Sequence, residues 1–169
     1  MQPEQQPTPV TARRPESVLV IVCAPGGMTL LLERVSPAGF WQSVTGALRR
    51  GENPRMAARR ELWEETGFGA DVPLLDLRAQ RRFPVVPPWS ERYPPGTRSN
   101  LEHWFLACLA TRRIPRLQPD EHRRWRWLPL RQASEQVFSW TNREALERYC
   151  LCRQGPDYIS GARHKHHLL

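Results

Sequence analysis

The chain has 169 residues, 40% of them hydrophobic and 25% charged, which fits one soluble globular domain and excludes a disordered or membrane-embedded chain. A formal net charge of +8 and a pI near 10.3 point to an anionic partner: nucleic acid, a membrane surface or a phosphorylated small molecule. All but one of the 25 basic residues are arginine, Lys165 being the exception. Guanidinium suits bidentate phosphate contacts, but these residues scatter along the chain as a compositional bias would leave them.

Residues 1–12 are polar and Pro-rich and read as a loose lead-in to one domain over 13–152, followed by a basic, His-bearing tail over 153–169. SVLVIVCA (17–24) reads as a buried strand, APGG as a turn and MTLLLERV (28–35) as its hairpin partner. The longest apolar run, VLVIVCA, is far too short to cross a bilayer. Arg13-Arg14 ahead of it imitates an export signal, but Pro15 and Glu16 intervene and more strand-like sequence follows. Cys23 and Cys108 lie in apolar, strand-like runs and read as small reduced core residues, so a cytoplasmic location is expected.

FWQSVT (40–45) alternates like a short strand running into Gly46. A loop follows, then a helix with Asn53 placed to cap it, Pro54 at its first position and Gly67 at its stop. LLDLRAQRRF (74–83) reads as a strand, and the Pro-rich stretch 84–100 as a loop long enough to bind something. LEHWFLACLA (101–110) and RRWRWLPL (123–130) are further strands. Thr141 and Glu144 form a capping box that opens a last amphipathic helix over 143–151. Strands outnumber helices without strict alternation, which argues for an α/β arrangement whose mixed sheet is covered on its faces by helices.

On the first helix Glu61, Glu64 and Glu65 are three and four residues apart and share one face, beside an apolar strip of Ala58 and Leu62. Clustered carboxylates repel unless something positive sits among them. Oxygen-only donors suit Mg²⁺ or Mn²⁺, and such an ion bridges phosphate oxygens and activates water. Glu52 lies within reach of the same face or of Arg60, which would hold a neighbouring carboxylate. Taken alone, the helix reads better as solvated and salt-bridged, with Arg60 and Glu64 an i,i+4 pair.

The full spacing decides between these. Gly46, Glu52, Arg60-Glu61, Leu62, Glu64-Glu65, Gly67 and Phe68 make one 23-residue pattern, G-x5-E-x7-R-E-U-x-E-E-x-G-U with U bulky and apolar. It resembles the Nudix box at every specified position. The resemblance implies an α/β/α sandwich with the box as loop–helix–loop, and hydrolysis of a diphosphate linkage with a divalent metal. PESVLVIV, FWQSVTG, RYPPGTRSN, EHWF, DEHRRWRWL and SWTNREALERY extend it over most of the chain. They are similar to the branch of the family that removes pyrophosphate from a pterin triphosphate in folate synthesis and accepts some nucleoside triphosphates.

The resemblance implies roles residue by residue. Glu61 and Glu65 are metal ligands, and Glu64 is a ligand or the base. Glu121 is a further acid near the metal, holding a second ion or orienting water; as composition alone it is a turn carboxylate. Arg60 supports the catalytic carboxylates. Arg13, Arg34 and Thr45 contact the substrate, and Phe83, Pro84, Val85, Val86 and Ser139 form the pterin side, although Ser139 also reads as helix-capping chemistry. Trp41 and Trp140 are candidates to stack on a flat ring, or are packing residues. The expected partner is a small-molecule triphosphate met by a monomer, with no membrane and no nucleic acid. Rival readings are a nucleoside triphosphate cleanser, an enzyme of RNA 5′ ends, favoured by the basic charge, and a non-catalytic sensor on the same scaffold.

Overall fold

The computed structural model describes residues 14–87 and 89–149. The elements run β1 (Glu16–Ala24), β2 (Met28–Arg34), β3 (Trp41–Gln42), β4 (Val44–Ala47), α1 (Pro54–Thr66), β5 (Leu74–Pro84), β6 (Ser99–Cys108), β7 (His122–Pro129), α2 (Leu130–Gln136) and α3 (Trp140–Tyr149). β1 explains the architecture. Val18, Val20 and Val22 point to a core shared with Ala57, Ala58 and Leu62 of α1, whereas Leu19, Ile21 and Cys23 point to one shared with Ala133, Ala145 and Leu146 of α2 and α3. A strand buried on both faces shows no polar alternation, which is why it reads as an unbroken apolar run.

β1 pairs in parallel with β6, from Glu16 opposite Leu101 to Cys23 opposite Cys108, and antiparallel with β2 and β4. The main strand order is β3-β2-β1-β6-β5, with β4 also on β1 and β7 on β2. The result is the expected α/β/α sandwich with a mixed sheet.

Several local expectations change. The stretch 40–45 is two strands, because β3 pairs with Leu32 and Glu33 of β2 while β4 pairs with β1. The switch falls at Ser43, whose N–H donates to Asn142 Oδ1 (2.8 Å) and whose Oγ accepts from Asn142 Nδ2 (2.9 Å). The capping box is not formed. α3 starts at Trp140, Ser139 Oγ meets Thr141 Oγ1 at 2.7 Å, and Glu144 is taken by Arg81 (2.9 Å from Nε) and Arg148 (2.9 Å). A bidentate guanidinium outcompetes a neutral backbone N–H for a carboxylate.

The loop after β5 is shorter than its prolines imply: β5 runs to Pro84, β6 starts at Ser99, and Val85 N–H still donates to Arg98 O (3.0 Å). α2 carries no capping side chain at Pro129, so no sequence signal announced it. Cys23 is disulfide-bonded, which departs from its reading as a reduced thiol. Among the described residues no helix is long and apolar enough to cross a membrane.

Candidate active site

α1 is fixed locally at both ends. Asn53 Oδ1 accepts from Met56 N–H at 2.9 Å, Pro54 occupies the first turn, and Gly67 closes the helix at φ 72° with its N–H on Trp63 O (2.8 Å). Ala57, Ala58 and Leu62 are fully buried against the sheet, which carries Glu61 and Glu65 inward with them. Space there is tight: a Cβ at Gly46 of β4 would lie 1.9 Å from the Glu61 carboxyl carbon. Glycine is required at this position by the carboxylate that packs on it.

Arg60 organises the outer carboxylates. Its Nε donates to Glu52 Oε1 (2.6 Å) and its Nη2 to Glu52 Oε2 (2.8 Å) and Ala47 O (3.0 Å); Nη1 reaches Glu61 and Glu64 Oε2 (3.0 Å). Glu64 is also held by Arg49 Nη2 at 2.9 Å, and Glu52 Oε2 accepts from Arg49 N–H at 2.7 Å. The Arg60 hydrogen bonds hold Glu52 down at about 2, and Glu52 in turn raises the Arg60 guanidinium further. Burial dominates at Glu61, lifting it to about 7 although Arg60 opposes the shift, with Glu64 and Glu121 adding repulsion.

Deeper in, the charges lose their partners. Glu65 is 1% exposed and neither carboxylate oxygen has a hydrogen-bond partner of normal geometry. Burial pushes it well above the usual carboxylate range, and Glu61 and Glu121 push it further. Thr45 N–H, which points toward it without closing such a bond, and the charge of Arg34 offset part of this. His122 is as buried, and neither ring nitrogen has a partner. Its Nε2 lies 3.9 Å from Glu65 Oε2, and burial together with Arg34 lowers it to about 4.

One donor atom each from Glu65, Glu121 and His122 lies within 4.8 Å of the others. An unmet buried polar group costs roughly 1–3 kcal/mol, so this concentration asks for a cation. The carboxylate donors fit Mg²⁺ or Mn²⁺.

Arg34 ends β2 directly opposite His122, its Nε on Ser36 O at 3.1 Å, and Thr45 lies in β4 with its hydroxyl accepting from Gln42 Nε2 (3.0 Å). These two join the cluster. Phe83 and Pro84 instead close β5, opposite Asn100 and Ser99, with Val85 and Val86 following; β1 and β6 stand between β5 and β2 in the sheet. Ser139 precedes α3 and bonds Thr141. Arg13 lies outside the described residues. Trp41 is 3% exposed in the core, with the Arg126 guanidinium 4.7 Å from its ring centroid, so it offers no face to a ligand; Trp140 is half exposed.

His122 escaped the sequence reading. The expected strand began at Arg123, which left His122 in the turn with Glu121. Glu121 belongs to the turn before β7, where Gln118 O accepts both Glu121 N–H (3.1 Å) and His122 N–H (2.9 Å), and the β2–β7 register shifts at Glu33/Arg34. The adjacent Glu-His pair was the available signal.

A NUDIX domain model matches residues 13–149. Dihydroneopterin triphosphate diphosphatase of Escherichia coli is 34% identical over 143 residues, 82% of this chain and 94% of that protein. The Haemophilus influenzae protein of that name is 34% identical over 138 residues, 79% and 86% of the two chains. The solved structure of the Escherichia coli dihydroneopterin triphosphate pyrophosphohydrolase matches with a TM-score of 0.78 at 34% identity, covering 82% of this chain and 97% of that one. Box spacing, sandwich and acidic cluster therefore have one explanation: the chain belongs to the Nudix family.

Proposed function

We propose that this Nudix hydrolase cleaves dihydroneopterin triphosphate between its α- and β-phosphates, giving the monophosphate and pyrophosphate, with Mg²⁺ as its ion and Mn²⁺ as a substitute. The chemistry rests on one observation: Glu65 is buried with both oxygens unpartnered, beside Glu61, Glu121 and His122. The choice of substrate is supported by the similarity to the two curated diphosphatases. A bound divalent ion supplies charge neutralisation and Lewis acidity toward phosphate oxygens.

The residues divide the work. Glu61, Glu65 and Glu121 would hold the ion. Glu64, at the rim and steered by Arg49 and Arg60, takes a proton as water oxygen attacks phosphorus; the bond to the bridging oxygen breaks and its electrons leave with pyrophosphate. Arg60 fixes the carboxylates through Glu52. Arg34, with Arg13, offsets charge on the leaving phosphates, and Thr45 positions them. Phe83, Pro84, Val85, Val86 and Ser139 take the pterin side. One domain over 13–152 acts as a cytoplasmic monomer on a small molecule, with nucleic acid and membrane outside the reaction.

The test is pyrophosphate release from dihydroneopterin triphosphate beside four dNTPs and a 5′-triphosphate RNA, with Mg²⁺, with chelator, and in Glu65→Gln. Preference for the pterin, lost in the last two conditions, is expected. Equal or faster turnover of dNTPs would remove the substrate assignment and leave the chemistry. Faster release from RNA with a steep salt dependence would move the function to RNA ends.

A further inference from the structure

An ion site built of carboxylates alone leaves His122 without a use. We propose that His122 donates a ring nitrogen to the ion held by Glu65 and Glu121, making the innermost position a mixed nitrogen–oxygen site that favours a transition ion such as Mn²⁺ over Mg²⁺. This rests on the metal-dependent reading above and sharpens it.

Three observations converge. Both ring nitrogens of His122 are buried without a hydrogen-bond partner, which folded proteins avoid unless an ion or water serves them. The 3.9 Å between His122 Nε2 and Glu65 Oε2 is too long for a hydrogen bond. It is a separation that one shared ion spans, since donors lie about 2.0–2.2 Å from such an ion. Finally, the arrangement is set by the backbone rather than by a chance rotamer: Gln118 O accepts the N–H groups of both Glu121 and His122, and β7 pairs His122 opposite Arg34. Imidazole suits the heavier transition ions best, and Mn²⁺, the lowest of that series, still accepts one more readily than Mg²⁺, which prefers all-oxygen shells.

The test loads the intact protein with Mn²⁺ alone and reads its pulsed electron paramagnetic resonance spectrum for coupling to nitrogen. Mn²⁺ and Mg²⁺ affinities are titrated in parallel for the unaltered chain, His122→Asn and Glu65→Gln. The expected result is nitrogen coupling in the unaltered protein and none in His122→Asn. In that variant Mn²⁺ affinity falls on the order of tenfold or more, and Mg²⁺ affinity by less. A histidine that merely supports the fold would lower both affinities alike, which overturns the inference. So does Mn²⁺ that is lost in Glu65→Gln yet shows no nitrogen coupling in the unaltered protein, a spectrum that decides even if His122→Asn fails to fold. Mn²⁺ binding indifferent to Glu65→Gln would sink the metal reading itself, and the inference with it.

Discussion

Gly46 and Glu61 occupy one space: the helix carboxylate lies where a side chain on β4 would begin, 1.9 Å from an ideal Cβ. Gly46→Ala must displace Glu61 from the sheet or part β4 from α1. Overpacking of this kind costs about 1–3 kcal/mol, with loss of metal-dependent turnover. Urea denaturation of Gly46→Ala, Glu61→Ala and the double variant separates causes. If the contact is responsible, Glu61→Ala recovers most of the stability lost to Gly46→Ala, and additive losses would place the strain elsewhere.

Arg60→Ala leaves Glu52 largely buried beside vacant hydrogen-bonding positions, and removal of one member of such a pair costs on the order of 3 kcal/mol. Arg60→Lys recovers little, because an ammonium cannot reproduce the two-pronged contact. The effect depends on pH in a stated direction. Glu52 sits at about 2 in the folded protein against an ordinary 4.5, so its contribution is present above 4.5 and lost as pH falls toward 2. The stability gap between the unaltered chain and Arg60→Ala therefore narrows over that window. Melting curves at several pH values check it; a constant gap would mean that Arg60 stabilises through packing alone.

The parts of this molecule legible in its sequence are those specified by neighbours along the chain. Asn53, Pro54 and Gly67 delimit α1 by local hydrogen bonding and backbone freedom, and three- and four-residue steps put the glutamates on one face. Features that depend on distant partners were hidden. Glu144 looks like a capping residue until Arg81 arrives across 63 positions. Ser43 looks like mid-strand until Asn142 pins it, and Trp41 looks like a stacking platform until the sheet buries it. His122 depends on an irregular register that no spacing rule carries. The placement of Phe83 on the far side of β1 and β6 from the carboxylates is likewise a property of strand order, not of local pattern.

Glu102 is a buried acid away from the carboxylate cluster, accepting from Trp104 Nε1 (3.0 Å) and bonded to Thr141, and burial raises its affinity for a proton. A carboxyl raised in the folded state destabilises as pH climbs from its ordinary value, 4.5, through its folded one, and costs nothing below. Glu102→Gln keeps an acceptor for Trp104 and removes the charge. It should melt higher than the unaltered chain at neutral pH, and the advantage should vanish under acid conditions. A variant that is less stable at neutral pH would show that the charged form is needed by the hydrogen bonds around it.

Glu65 turns the same argument on the site itself. Its carboxylate is buried, unpartnered and pressed by Glu61 and Glu121, an arrangement that weakens the fold unless a cation is present. In metal-free protein Glu65→Gln should therefore be the more stable form, by roughly 1–3 kcal/mol at neutral pH, while its turnover is lost. The gain should shrink as pH falls toward 4.5, where the unaltered residue is protonated. Adding Mg²⁺ or Mn²⁺ reverses the order, because an ion that binds only the folded state raises the melting temperature of the unaltered chain with concentration and leaves Glu65→Gln almost unmoved. Calorimetry with and without chelator reads both effects. Were the metal-free variant the weaker of the two, Glu65 would be held by some contact in the folded chain, and its unpartnered oxygens would no longer argue for an ion.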